Sequence, residues 1–182
     1  MPLSPESSVK LTYEDYLLFP DDGQRHELID GVHYVSPAPA LYHQLVSGRL
    51  HGELYQLVAK AKLGNVYSAP TDVELGRHDI VQPDLVIVSA ARKEILTDSR
   101  VLGAPDLVVE VLSPSTGARD RAQKLRAYER TGVAEYWIVD PKLRVIDQYG
   151  LEQRKYAHLG RFDATITSKS FPTVTLDLHE IW

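Results

Sequence analysis

The sequence predicts an α/β fold, with a central mixed β-sheet flanked by helices and a β-meander at the C-terminal end. Two near-continuous runs of β-branched and leucine residues, "DLVIVS" and "DLVVEVL", are typical of strands that are buried on both faces. The stretch "ARDRAQKLRAYERTG" lies between the second run and a further apolar run, "AEYWIVDP", and its spacing predicts a helix. A crossover helix of this kind implies that the strands it joins are parallel neighbours with a right-handed connection.

The first part of the chain predicts a short helix and then a hairpin. Thr12 followed by Asp15 is typical of a helix start, so "TYEDYLLF" should be helical. The stretch "RHELIDGVHYVSPAP" alternates apolar and polar residues on both sides of Asp30-Gly31, which favours a hairpin turn. Glu27 then falls in the first strand of that hairpin.

The middle of the chain predicts the longest helix, from Leu41 to about Leu63, with Gly64 as its end. A strand candidate, "VYSAPTDVEL", comes before the two buried runs. In the crossover helix, we expect Ala118, Ala122, Leu125 and Tyr128 near one face, with Gly132 as the stop. The remainder, from "LRVIDQYG" to "LDLHEIW", alternates in short segments broken by Gly and Pro, and this pattern indicates the meander.

Length and composition fit one globular domain. The 182 residues are 43% hydrophobic, and we assign 1–10 to a flexible N-terminus and 11–182 to a single domain. The chain has no cysteine, which excludes disulfides, thiolate zinc sites and cysteine nucleophiles, so a metal would need oxygen or imidazole ligands. No signal peptide or membrane-spanning run is evident, so we expect a soluble cytoplasmic protein. The net charge of −5 counts against a protein that coats nucleic acid, but not against an enzyme that acts on it.

Two carboxylates stand where apolar residues would be expected. Asp84 opens the first buried run and Glu110 lies inside the second. If the two strands are neighbours, both carboxylates can converge on one point, where they repel each other unless a proton or a cation lies between them. Oxygen ligands of this kind select Mg²⁺, Mn²⁺ or Ca²⁺. A metal held in this way can activate water and stabilise charge during phosphodiester cleavage.

A Pro-Asp before one strand and a Glu in the next resembles the PD-(D/E)xK nuclease superfamily. The blocks "HELIDGVHYVSPAPALYHQLVSGRL", "QPDLVIV" and "PDLVVEVLSPSTGARDRAQKLRAYERTGVAEYWIVDP" resemble the Uma2 family of restriction-endonuclease-like proteins, roughly from Leu11 to Asp140. The resemblance implies a restriction-endonuclease-like fold and a Mg²⁺-dependent endonuclease that cleaves DNA, with Mn²⁺ as a substitute. It also implies that Asp84 and Glu110 hold the metal and that Glu27, matching an early glutamate of this fold, assists them.

The sequence departs from the superfamily pattern at Leu112, where a lysine is expected two residues after the glutamate. The superfamily tolerates a lysine on the adjacent helix, and Lys124 is the candidate because it shares a helix face with Asp120 and Tyr128. The alternative is that Lys124 merely flanks the apolar stripe in solvent.

Other polar residues are weaker candidates. His43 and Arg121 are assigned to substrate contact. His26 and Arg126 are weaker candidates for the same role. Ser113, Ser115 and Thr116 should cap the helix that follows them.

Some of these carboxylates also have structural alternatives. Asp84 could simply cap a turn after Pro83, and Glu27 could face water on its strand. Asp106, which repeats the Pro-Asp dipeptide, should have only a capping role.

Three functions remain open from the sequence. The first is a Mg²⁺-dependent DNA endonuclease with Asp84, Glu110, Glu27 and Lys124 as its catalytic residues, acting as a homodimer or higher homo-oligomer and with no membrane partner. The second is a catalytically inactive nuclease-like module that binds DNA or protein, which Leu112 makes credible. The third, a glycosidase with two acids, has little support because few aromatic residues flank the carboxylates.

Overall fold

The computed structural model of the protein describes residues 9–113 and 117–182, and it contains helices α1–α4 and strands β1–β13. The expected flexible N-terminus therefore lies largely outside the described residues, and so do Ser115 and Thr116. The helices are α1 (Tyr13–Tyr16), α2 (Leu41–Leu54), α3 (Gly117–Arg119) and α4 (Leu125–Thr131). The strands are β1 (Arg25–Ile29), β2 (Val32–Ser36), β3 (Gly64–Ser68), β4 (Val73–Gly76), β5 (Asp79–Val81), β6 (Leu85–Ser89), β7 (Val101–Leu102), β8 (Leu107–Val111), β9 (Glu135–Asp140), β10 (Val145–Glu152), β11 (Lys155–Phe162), β12 (Thr165–Thr167) and β13 (Thr175–Asp177).

The two apolar runs form neighbouring strands in the middle of a six-stranded sheet, whose order is β11-β10-β9-β8-β6-β3. Strand β8 is antiparallel to β6 and parallel to β9, as the crossover connection predicts. The register pairs Leu85 with Val109. Continued by one residue, this register brings Asp84 opposite Glu110, and residues opposite each other in an antiparallel pair project from the same face.

A second, five-stranded sheet of order β2-β1-β5-β4-β7 was not expected, and β12 and β13 form a separate hairpin. The prediction of a single strand over "VYSAPTDVEL" is wrong, because β3 joins the six-stranded sheet whereas β4 joins the five-stranded one. Pro70 lies between them and has no N–H for a sheet ladder, so the chain leaves one sheet there and enters the other.

Helix α2 packs Val46, Leu50 and Leu54 into the core below the six-stranded sheet. It continues through one π-helical turn, Tyr55–Ala59, and ends before Gly64, which is instead the first residue of β3. A Cβ at Gly64 would lie 2.3 Å from the carbonyl oxygen of Val88 on β6. This glycine therefore permits a close approach of two strands, and the prediction that it ends the helix is wrong.

The crossover helix consists of α3, a π-helical turn at Asp120–Lys124, and α4, and it ends at Gly132 with a φ of 90°. The predicted buried face is wrong at Ala118 and Ala122, which are exposed. The buried residues of the turn are Asp120 and Lys124. The wider turn shifts the face that meets the sheet away from the predicted apolar stripe.

The C-terminal meander is confirmed in β10 and β11, which extend the six-stranded sheet beyond β9. A second hydrophobic core lies on the opposite face of this sheet, around Tyr128 and Tyr136. Among the helices that the structure describes, none is long and apolar enough to span a bilayer.

Candidate active site

The first hairpin carries Glu27 into the interior. Asp30 and Gly31 both adopt positive φ, 53° and 74°, which is the geometry of a tight turn between twisted strands. Alternation along β1 gives Arg25 and Glu27 the same face of the strand. Glu27 is 2% exposed, and its Oε1 accepts a hydrogen bond of 2.9 Å from the backbone N–H of Gln82. It does not face water.

Asp84 is buried at the start of β6 and is surrounded by donors. Its Oδ1 accepts from Arg25 Nη1 at 2.8 Å, and its Oδ2 accepts from His43 Nε2 at 3.1 Å and from the Val111 N–H at 2.8 Å. Burial alone would raise the pKa of Asp84, but the hydrogen bond and charge of His43 and the charge of Arg25 outweigh it and lower the pKa to about 2. Asp84 is therefore held as a carboxylate.

Glu110 and Lys124 meet in the interior. Lys124 Nζ lies 2.7 Å from Glu110 Oε1 and 2.8 Å from Glu27 Oε1, and the Tyr128 hydroxyl donates to the same Glu110 oxygen at 2.7 Å. The lysine is 3% exposed, so it does not lie in solvent. The π-helical turn places it against β8, and one ammonium thereby bridges two carboxylates from different sheets.

The pKa values of this pair move upward for different reasons. Burial raises the pKa of Glu110 to about 8, against the opposing charge of Lys124, and the nearby carboxylates of Asp120, Asp84 and Glu27 add to the rise. For Lys124, burial acts to lower the pKa, but Glu110, Glu27 and Asp120 together raise it above its ordinary value. The lysine thus stays charged, and Glu110 holds a proton more readily than Asp84 does.

One cavity of about 210 Å³ collects all of the predicted site residues except Arg121. Its walls include Glu27, His43, Asp84, Glu110 and Lys124. The other wall residues are Arg25, Asp120, Ser113 and the segment 36–40.

Leu112 lies next to this cavity but does not line it. It is part of the wall of an adjoining, mainly apolar cavity of about 630 Å³, together with Tyr42 and Pro141. The lysine that the superfamily pattern expects at position 112 is thus absent there, and Lys124 reaches the glutamate from the helix.

Arg121 is not part of the cavity wall. Its Nη1 donates to Asp147 Oδ2 at 3.1 Å and its Nη2 to Asp140 Oδ2 at 3.0 Å, so it ties the crossover helix to β9 and β10. Arg126 is exposed on the helix. Neither arginine lies among the carboxylates of the cavity.

His26 and Asp106 also lie apart from the cavity. His26 is one residue from Glu27 on β1 and bonds with Asp22 Oδ1 at 3.0 Å through Nε2. Asp106 Oδ2 accepts from the backbone N–H of Ser89 at 2.7 Å, which is a capping contact at the end of β6. The doubled Pro-Asp therefore contributes only its first aspartate to the cavity.

Arg25 is a cavity residue that was not predicted from the sequence. The signal was available, because Arg25 lies two residues before Glu27 on an alternating strand and so shares its face. The Asp84 contact could not be anticipated, since it depends on the packing of the five-stranded sheet against the six-stranded one.

The carboxylates suit a hard divalent cation by their chemistry. Asp84, Glu110 and Glu27 offer the oxygen ligands that Mg²⁺ prefers, and all three line the same cavity. Within residues 9–113 and 117–182, no three His, Asp or Glu side chains are already arranged as a metal cluster. Binding would therefore require side chains now paired with Arg25 and Lys124 to rearrange.

Comparisons with known proteins place the chain in a family. The family described as "Uma2: Putative restriction endonuclease" matches residues 13–179. An uncharacterised protein of Synechocystis sp., slr1290, is 30% identical over 152 residues, which cover 77% of this chain and 74% of that protein.

A solved structure shares the fold. The crystal structure of a "putative nuclease belonging to DUF820" from Anabaena variabilis has a TM-score of 0.78 and 19% identity, and the match covers 94% of this chain and 97% of that one. The two chains therefore share one fold over nearly their whole lengths. With its match over nearly the whole chain, the protein belongs to the Uma2 family of restriction-endonuclease-like proteins.

Proposed function

We propose that the protein is a Mg²⁺-dependent endonuclease that hydrolyses phosphodiester bonds in DNA. The observation that carries this proposal is the position of Lys124, whose Nζ lies 2.7 Å from Glu110 and 2.8 Å from Glu27 in the cavity that Asp84 also lines. A buried lysine among carboxylates resembles the site of the PD-(D/E)xK superfamily, with the difference that a helix supplies the lysine here.

The carboxylates and the lysine have different roles in this proposal. Asp84 and Glu110 would hold the metal, with Glu27 assisting. Mg²⁺, or Mn²⁺ in its place, would supply an activated water and neutralise charge on the phosphate. Lys124 would orient the attacking water or contact the scissile phosphate, and Glu27 would hold the ammonium in place. His43 would keep Asp84 in position through its 3.1 Å contact.

DNA is proposed as the substrate on the strength of the family and of the nuclease-like fold. A single active site cleaves one DNA strand at a time. We therefore propose that a homodimer, with one site for each strand, cleaves a duplex. If supercoiled plasmid is converted to linear DNA, both strands are cut together by paired active sites. If only nicked circles form, each active site acts alone.

The experiment combines metal titration by calorimetry with a plasmid assay in Mg²⁺ and Mn²⁺. The wild type should bind metal and cleave, and Asp84→Ala should do neither. Lys124→Ala should still bind metal but cleave about 100-fold more slowly, the scale of a lost proton-transfer or orienting group. Asp106→Ala is the matched control, because it removes the aspartate of the second Pro-Asp, outside the cavity, and should cleave like the wild type.

The outcomes separate the candidate functions. Cleavage that survives Lys124→Ala undiminished would show that this lysine has no role. If cleavage is lost, urea unfolding must show that the variant is still folded. A wild type that binds DNA without binding metal or cleaving would support the nuclease-like binding module instead.

A further inference from the structure

Arg25 holds one oxygen of the proposed metal ligand. Its Nη1 donates to Asp84 Oδ1 at 2.8 Å, and the other carboxylate oxygen already accepts from His43 and from the Val111 N–H. A cation approaching Asp84 therefore meets a guanidinium that occupies Oδ1 and repels it. Charge repulsion of this kind weakens cation binding at short range.

Only part of the Arg25 guanidinium takes part in that contact. Of its guanidinium nitrogens, only Nη1 has a hydrogen-bond partner among the residues that the structure describes. Its side chain is 24% exposed, whereas that of Asp84 is 3% exposed. The Nε and Nη2 donors are therefore open to a further acceptor.

Space surrounds the Arg25 side chain on several sides. It lines the catalytic cavity and two others, of about 160 Å³ and about 360 Å³, that border Gln44 and Ala69. A change of rotamer at Arg25 would meet open space rather than the packed core. The planar fork of an arginine binds a phosphate through two parallel hydrogen bonds, which a lysine cannot do.

We infer that Arg25 is a catalytic residue with two alternative partners: it neutralises Asp84 in the metal-free protein and contacts the phosphate of the bound substrate. This inference rests on the proposed function, because it concerns the same cavity. Arg25 then has two opposite effects: it opposes metal binding in the absence of DNA, and it favours DNA binding once metal is present.

The test measures the two effects separately on Arg25→Met, which keeps an unbranched apolar stem and removes the charge. Calorimetry with Mn²⁺ alone should show metal binding roughly tenfold tighter than in the wild type, because the competing cation is gone. Fluorescence anisotropy with a short labelled DNA duplex in Ca²⁺ should show affinity about tenfold weaker, the loss expected for a charge-assisted hydrogen bond.

Two further variants make the result specific. Arg25→Lys keeps the charge and loses the fork, so metal affinity should stay near the wild-type value while DNA affinity falls. Arg130→Met removes an arginine in the last turn of α4 that is paired with Asp79 and is not part of the cavity wall, and neither affinity should change. Urea unfolding checks that all variants are folded.

The outcomes distinguish this inference from the proposed function. Weaker metal binding in Arg25→Met would mean that the arginine only positions Asp84, and unchanged DNA affinity would mean that it does not touch the phosphate; either result overturns the inference alone. No metal binding by the wild type would overturn the proposed function and this inference with it.

Discussion

At the scale of single residues, the cavity holds two carboxyl groups with opposite protonation behaviour. The pKa of Asp84 falls to about 2 because His43 and Arg25 outweigh its burial, whereas burial raises that of Glu110 to about 8. The ammonium group of Lys124 forms ion pairs with both Glu110 and Glu27, so its positive charge is shared between two carboxyl groups. A divalent cation would therefore meet one ligand that is already ionised and one that must first release its proton.

The Tyr128 hydroxyl is the second buried donor to Glu110, and Tyr128→Phe tests its contribution. The ring would keep its edge contact with Tyr136, with centroids 4.8 Å apart, so only the hydrogen bond to Glu110 Oε1 is lost. Urea unfolding should show a loss of about 1–2 kcal/mol, the cost of a buried acceptor that loses a donor. Tyr156→Phe is the control, since its hydroxyl donates to the Val133 carbonyl from a partly exposed position, and its loss should be smaller. Equal losses would mean that Glu110 does not depend on Tyr128.

The sequence predicts the site residues that interrupt an apolar run. It does not predict the site residues whose partners are set by the packing of the two sheets. Asp84 and Glu110 were identifiable because a carboxylate inside an apolar run needs a partner. Lys124 could be named only through a resemblance, since on the helix it looks like any lysine beside an apolar stripe. The contact of Arg25 with Asp84 could not be predicted, because the two residues are 59 positions apart in the sequence and lie in different sheets.

At the scale of elements, strands with strong patterns were predicted correctly, and boundaries that depend on neighbouring strands were not. The hairpin at Asp30-Gly31 and the buried strands β6 and β8 follow from local sequence. The split between β3 and β4, and the end of α2, depend on which sheet each segment joins. Those pairings are long-range, and a local pattern does not contain them.

Gly64 tests whether strand pairing, rather than the local sequence pattern, determines which residue is required at a position. Gly64→Ala would place a Cβ 2.3 Å from the Val88 carbonyl oxygen, so β3 or β6 must move, and we expect a loss of about 2 kcal/mol or more. Gly52→Ala is the matched control on α2, where a Cβ meets no atom within 4 Å. That change should stabilise the protein by about 0.5–1 kcal/mol, because alanine is the better helix former. Thermal unfolding of both variants checks the prediction, and a neutral Gly64→Ala would show that the strands tolerate the added methyl.

At the scale of the whole molecule, the carboxyl groups of the cavity should control how stability depends on pH. The folded-state pKa of Glu110 lies above its ordinary value of 4.5, at about 8, so the stability linked to its proton is fully present below 4.5 and is lost as pH rises to 8. Asp84 has the opposite sign, because its pKa is lowered from 3.8 to about 2 and its contribution is lost only as pH falls through that range. The metal-free protein should therefore become less stable from pH 5 to pH 8, by on the order of 1 kcal/mol per pH unit at most from this one group.

Two measurements check this expectation. Urea unfolding of the wild type in EDTA should show the decline, and Glu110→Gln, which cannot titrate, should show a flatter dependence over the same range. Under the proposed function, Mg²⁺ displaces the proton from Glu110, so the stabilisation by added Mg²⁺ should grow with pH in the wild type and be small in Glu110→Gln. A wild-type decline that Glu110→Gln leaves unchanged would assign the pH dependence to other groups. A Mg²⁺ effect that does not vary with pH would separate the proton on Glu110 from metal binding.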